Sequence, residues 1–555
     1  FFLRAINDYG QSPTTEQMGR TWLNYAPYQH GFYWWGGYGR STEHTAYLNL
    51  RAGIKAPASG SMKQNGKTVA EQIGGQIFID TWGLANPGNP ARAAEYAARM
   101  ASVSHDGEGI YGGMFIAACI AEAFVSEDIN AIIEKGLSFI PEDCTYARMA
   151  RDIKEFADLN PNDEDWRAGY EYIRKKWGYS KYGGGCHIIP NSAVMLLSLY
   201  YGRGDFSRTI CICNMCGWDT DCTTGNVGAI MGVLVGLDGI EQKWRNPIND
   251  FFACSSVIGS LNLTDAASCA LEIARAACII EGETPAEAEK YLCGAKYGFE
   301  LPGSTHSFRA GEGTMLQNTD KAAHTGKRSL HIKSEGSSAS AAIRTYCSSK
   351  DFTDSRYDPS FSPLFYPGQK ATLWLRTENE NDTVFAQLSL QGEDGADMAV
   401  GSLSIIGGDW TEAEVTCPAG LEGPVKELVL TLSSEGAISV FMDDVNYVGK
   451  ADYRINFTAK QMDEWNASHK EVPELTYLAG IWNLEEGMLS GSGTKHAESY
   501  TGDYYWRDYE AETAVYPHFG DKHRFLFRVQ GAERCYAAAL SGGKLLLEKK
   551  DGCFR

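Results

Sequence analysis

Two carboxylates one residue apart, Asp219 and Asp221, stand in the run Gly217-Trp218-Asp219-Thr220-Asp221-Cys222-Thr223-Thr224-Gly225-Asn226. One helical pattern ends at Gly217, and a second, rich in small residues, follows. Such a loop can aim both carboxylates at one hard cation; Mg²⁺ takes oxygen ligands and keeps waters that a substrate can displace. Capping of the second helix by Asp221 is the competing reading, and it accounts for one Asp rather than two. His105 closes an Ala-rich helical run and leads into the polar stretch Asp106-Gly107-Glu108-Gly109. Its imidazole is suited either to a substrate hydroxyl or to resting against the helix dipole. Phe32-Tyr33-Trp34-Trp35-Gly36-Gly37-Tyr38 gathers aromatics among glycines. Trp34, Trp35 and Tyr38 are therefore candidates for stacking on a sugar or base, with core packing as the alternative. His187 follows a tight Gly-rich turn before Pro190 and either faces a pocket or bonds the backbone. A Cys186-His187 nucleophile is excluded, because side chains adjacent in sequence do not face each other.

The elements that must position these groups fall into two styles. Residues 1–298 carry apolar residues at helical spacing, with starts such as Thr14-Thr15-Glu16-Gln17 and Asn89-Pro90. Helices are expected near 113–125, 143–158, 164–177, 190–201, 206–216, 223–236 and 264–281. From 299 the composition turns to Gly, Ser, Thr and Pro, and alternating segments predict strands at Ser329–Lys333, Ala371–Arg376, Val384–Leu390 and Glu427–Leu432. A further strand-rich set from 451 includes Asp508–Val515 and Arg524–Val529. The expected organisation is an all-α domain at 1–298 and two β-sandwich (jelly-roll) modules at 299–450 and 451–555. The chain reads as a piece open at both ends.

The 555 residues exceed one ordinary core, and a formal charge of -20 disfavours nucleic acid or anionic membrane as the main partner. No transmembrane segment is expected, since the apolar run Asn191–Leu199 is too short. Eleven of the fifteen cysteines precede residue 300, mostly in helical contexts, and are read as free, buried thiols. Cys211, Cys213 and Cys216 splay over different faces of one helix and are not a zinc knuckle. Free thiols allow a cytoplasmic setting, whereas β modules favour an extracellular or periplasmic one.

The stretch from Gly217 through the small-residue helix, with its G-x-D-x-D core, resembles the C-terminal metal motif of the ADP-ribosylglycohydrolase family. Gly37-Tyr38-Gly39-Arg40-Ser41-Thr42 and Ser104-His105-Asp106 resemble two further segments of that family, so the likeness spans about 1–250. It implies an all-α hydrolase with a two-magnesium centre that cleaves an N- or O-glycosidic bond of an ADP-ribosyl or related substrate. On that resemblance Asp219, Asp221 and His105 are catalytic, and Asp219 and Asp221 also hold metal. Cys222 stands where many members have Ser or Thr, which leaves Thr223 as the alternative ligand. Gly74, Gly75 and Gln76 occupy the family's substrate-binding Asn-Gly-x-x-Met-Arg segment, here without Met-Arg. The family's second acidic cluster and catalytic Glu lie upstream of the helix that Phe1–Tyr9 resembles, so half of the expected metal ligands are absent from this chain. Two alternatives remain: a glycan-directed glycosidase on the same fold, and a catalytically degenerate glycan-binding protein. His324–Leu330 and Val440–Val445 resemble strands of galactose-binding-like carbohydrate-binding modules. The last module, expected to be incomplete, resembles concanavalin-like jelly rolls.

Overall fold

A computed structural model describes residues 2–289, 295–352 and 357–554. The chain forms two compact units, one of Phe1–Leu23, Trp34–Pro247 and Leu271–Tyr291, the other of Asn24–Tyr33, Ile248–Ala270 and Leu292–Arg555.

The first unit is helical. Thr14 and Gln17 exchange the two bonds of a capping box ahead of Thr15–Tyr25, at 2.8 and 3.3 Å. Asn89 accepts from the Arg92 amide at 3.2 Å and starts Pro90–Ala101, with the proline in its first turn. Two helices, Glu108–Ala123 and Ile188–Gly202, are buried nearly all round, as their unbroken apolar runs require. Against them pack Thr145–Leu159, Phe206–Met215 and Thr220–Val235, and the core gathers Phe115, Ile116, Tyr146, Leu196 and Ile230. Burying each such side chain stabilises the unit by about 1.5–3 kcal/mol. The 74–76 glycines form one helical turn, Gly74–Ile77. It lies so close to Glu108–Ala123 that a Cβ on Gly113 would stand 2.4 Å from the Gly75 carbonyl oxygen. Glycine is required there for the backbones to meet.

The second unit holds a β-sandwich. One sheet runs Ser404–Ile406, Val384–Gln391, Glu427–Ser433, Ser338–Arg344, Arg309–Ala310, with Asp397–Val400 beside Val384–Gln391; the other runs Thr411–Thr416, Lys370–Thr377, Ile438–Val448, Ser329–Ser334, Met315–Thr319. Alternate residues such as Leu388, Leu390, Leu428 and Leu430 meet Leu330, Ile332, Leu373 and Met442 in the core between the sheets. After residue 451 the strands form three two-stranded sheets and one four-stranded sheet, His523–Phe527, Arg534–Ser541, Lys544–Asp551 and Cys553–Phe554.

One expected strand is absent. Asp508–Val515 is irregular and exposed along its length, because its alternation meets neither a partner strand nor an apolar layer. The thirteen cysteines whose side chains are described are free, but not uniformly buried: Cys119, Cys213 and Cys216 are interior, whereas Cys186 is exposed. Cys293 lies outside the described residues. No described helix is long and apolar enough to cross a membrane.

Candidate active site

Gly217 (φ 73°) and Trp218 (φ 66°) both take left-handed backbone. For a bulky residue this is a strained conformation, held here by the rings of Tyr170 and Tyr179 at 5.5 and 5.2 Å from Trp218. The reversal delivers Asp219 to the cap position of Thr220–Val235 and Asp221 to its first turn. The Asp219 carboxylate caps nothing, so the capping reading accounts for neither acid. Its amide donates instead to Asn191 Oδ1 at 3.4 Å, and Asn191 Nδ2 donates to the Tyr179 hydroxyl at 2.7 Å.

Around that carboxylate lie the thiols of Cys222 and Cys186 and the second carboxylate, Asp221. Asp219, Asp221 and Cys222 each offer a ligand atom within 4.8 Å of the others. Asp219 Oδ2 is buried with no hydrogen-bond partner among the described residues. Burial pushes the Asp219 carboxyl above its ordinary range and the Asp221 charge adds to this, against the thiol hydrogen bonds. The Cys186 thiol is pushed up to about 11, by burial first and then by the Asp219 charge. An acceptor left without a donor beside a second acid is the electrostatic signature of a place for a cation or a ligand's proton.

A third carboxylate belongs to the same neighbourhood. Glu43 lies buried in the first turn of Thr42–Arg51, behind the capping Ser41. The Ser41 hydroxyl is 2.7 Å from the Trp34 carbonyl and 3.1 Å from Glu43 Oε2. One hydroxyl proton is shared between these two acceptors. Burial does push this carboxyl upward, with the Asp219 charge contributing. A Cβ on Gly74 would stand 2.0 Å from Glu43 Oε1 and 3.0 Å from His105 Nε2. Gly74 therefore leaves the space in which the acid and the imidazole approach each other.

His105 is buried rather than presented on a flexible loop. Its Nδ1 is 2.7 Å from Ser104 Oγ and its Nε2 is buried without a hydrogen-bond partner among the described residues. Burial pulls it down to about 3, so the ring is neutral. Gly74 and Gly75 pack against it. Gln76 points elsewhere: its Oε1 accepts from Tyr146 and Ser192 at 3.1 and 3.0 Å, and its Nε2 donates to Asn226 at 3.2 Å. Asn226 in turn donates to Asp80 at 2.6 Å, a carboxyl that burial pushes up to about 7. Thr223 is also directed inward, its hydroxyl reaching the Thr220 carbonyl at 3.4 Å and Cys213, while Cys222 takes the place beside the acids. His187 caps Ile188–Gly202 by accepting from Ile189 at 3.2 Å, and its Nε2 is 3.5 Å from Glu71. Trp34 and Tyr38 are exposed; Trp35 packs edge-on against His44 and Tyr47. Sequence reasoning missed Glu43 and Asp80, and the only local signal for Glu43 was an acid two positions after a Ser cap.

A family model described as ADP-ribosylglycohydrolase matches residues 1–281. No curated protein matches the chain. Among solved structures, the chain is similar to a carbohydrate-binding module of the β-sandwich superfamily (17% identity, TM-score 0.21), covering 28% of this chain and 62% of that one. It is also similar to a xylan-binding domain from Paenibacillus barcinonensis (12% identity, TM-score 0.21, 28% and 94% covered). A third is the C-terminal family 22 carbohydrate-binding module of a Clostridium thermocellum protein (15% identity, TM-score 0.21, 29% and 97% covered).

Proposed function

The chain belongs to the ADP-ribosylglycohydrolase family, and we propose that it hydrolyses an N- or O-glycosidic bond of an ADP-ribosyl or related ribosyl substrate at the Asp219–Asp221 site. The observation that carries this reading is the buried, donorless Oδ2 of Asp219 beside Asp221 within the family's stretch of chain. These residues fit the divalent cation expected of the family: Asp219 and Asp221 would hold it, and Cys222 adds a softer donor that admits zinc as well as magnesium. When bound, the cation supplies positive charge for vicinal sugar hydroxyls and a water. Glu43, a carboxyl that burial pushes upward, is the candidate to deliver a proton to a leaving group. His105, neutral and with Nε2 unpartnered, offers a hydrogen bond to a sugar hydroxyl.

A second reading, a glycan-directed glycosidase, is favoured by one observation. Where the family segment places Met-Arg this chain has Ile77 and Phe78, and Phe78 packs against Phe2 and Trp22 at 4.7 and 6.2 Å. No cation is offered to a diphosphate at that position. That reading also suits a glycan-rich extracellular or periplasmic setting, which fractionation of the producing cell would test. Incubation with an ADP-ribosylated peptide and with a panel of aryl glycosides, each with magnesium or manganese, separates the two. Release of ADP-ribose is expected; release of aryl alcohol alone sinks the leading reading. Turnover of neither substrate set favours a degenerate, glycan-binding protein.

A further inference from the structure

In the second unit three side chains from distant stretches of the chain meet in the interior. His30, Asp358 and His469 are all buried, and one ligand atom of each lies within 4.8 Å of the other two. His469 Nδ1 is 3.1 Å from Asp358 Oδ2, and the two imidazoles are 4.8 Å apart. The Tyr477 ring closes against both, at 4.8 and 4.7 Å. Donors about 3 Å apart are spaced as neighbouring ligands of one cation with bonds of about 2.0–2.1 Å. We propose that His30, Asp358 and His469 form a structural site for a divalent cation of the zinc class.

The surroundings are those of ligands held in place. Glu471 Oε2 is 3.3 Å from His469 Nε2, the nitrogen facing away from Asp358. A carboxylate behind a ligating histidine sets its tautomer and raises its basicity. Glu471 is itself held by the Trp465 indole N–H at 2.9 Å and by the Ser360 hydroxyl. Asp358 Oδ1 accepts from the Gly31 amide at 3.0 Å and Oδ2 from Asn466 at 2.8 Å. Charge points the same way. His469 pairs with both acids, at 3.1 Å from Asp358 and 3.3 Å from Glu471, so two buried carboxylates flank one imidazole. A dication exchanged for the proton between His469 and Asp358 balances both. Two imidazoles and one carboxylate suit zinc and its first-row neighbours better than magnesium or calcium.

The test is the metal content of the whole chain carrying Asp219→Asn and Asp221→Asn, so that the first unit's acids contribute nothing, after loading with zinc sulfate and dialysis into metal-free buffer. One zinc per chain is expected by atomic emission. Adding His469→Gln or Asp358→Asn should remove it, and cobalt(II) loading should give visible bands that the same substitutions abolish. His30→Gln covers the case in which those variants misfold: zinc retention should fall at least about tenfold with an unchanged circular dichroism spectrum. No zinc in the Asp219→Asn/Asp221→Asn chain, or zinc undiminished in His30→Gln, overturns the proposal and leaves a proton-paired carboxylate–imidazole cluster.

Discussion

Two groups of acids in this molecule meet the cost of burying charge in opposite ways. At Asp219 and Asp221 no basic side chain answers the carboxylates among the described residues; the neighbours are thiols, and one oxygen has no donor. At Asp358 and Glu471 every carboxylate oxygen has a donor, from Gly31, Asn466, Trp465, Ser360 or His469. Burial works against charge on His469, but its bonds to the two carboxylates outweigh this and hold it up to about 9, whereas burial pulls His30 down to about 3. An acceptor left open is kept for something that arrives and leaves, as a substrate or an exchangeable cation does. A saturated cluster gives up only a proton, and a cation taken in its place is shielded from exchange.

If that contrast is right, Asp219→Asn should lower turnover at least about a hundredfold while leaving the melting temperature unchanged, because it removes ligand charge and no packing. Steady-state kinetics beside a thermal melt decides this. Unchanged kcat at saturating magnesium would break the open half of the comparison.

The closed half should show in stability. His469 has its pKa raised from 6.5 to about 9 in the folded chain, so in metal-free protein its contribution is fully present below pH 6.5 and is lost as pH rises through about 9. The loss is on the order of 3 kcal/mol. Urea unfolding between pH 6 and 10 should show this loss, and His469→Gln should abolish it.

Gly74→Ala is the finer probe. Its Cβ would stand 2.0 Å from Glu43 Oε1, the movable end of a side chain. Turnover should therefore drop by roughly tenfold or more through misplacement of the acid, with only a small change in melting temperature. An equal fall in stability and activity would assign Gly74 to packing alone. The smallest effect is expected of Cys222→Ser, which replaces a soft donor by a hard one. Rates with magnesium should rise relative to those with zinc by a few-fold, on the order of 1 kcal/mol, read from metal titrations of the two proteins.

Much of this was readable along the chain, and the failures share a cause. The acid pair at 219 and 221 stood out because a cap explains one carboxylate only. The helices around it followed from apolar spacing and caps such as Asn89 and Thr14. Gln76 looked like part of a substrate loop because glycines precede it, yet its amide is fully used by Tyr146, Ser192 and Asn226. Thr223 and Cys222 are neighbours on one helix turn, and their sequence order does not say which of them turns outward. Asp508–Val515 alternates like a strand but has no neighbour to pair with. Asp358 and His469 are 111 positions apart, and nothing local marks either as a ligand.

What the sequence determined by itself is therefore what depends on neighbours within a turn or two: helical and alternating periods, capped starts, and the paired acids of a recognisable motif. These rest on local sterics and on the burial of one face of each element. The tertiary structure alone decided which acids keep an acceptor without a donor, that Glu43 and His105 both lie against Gly74, and that two histidines meet one aspartate inside the second unit. Each of these is a matter of desolvation and hydrogen-bond supply, and both are set by residues that come close only when the chain has folded.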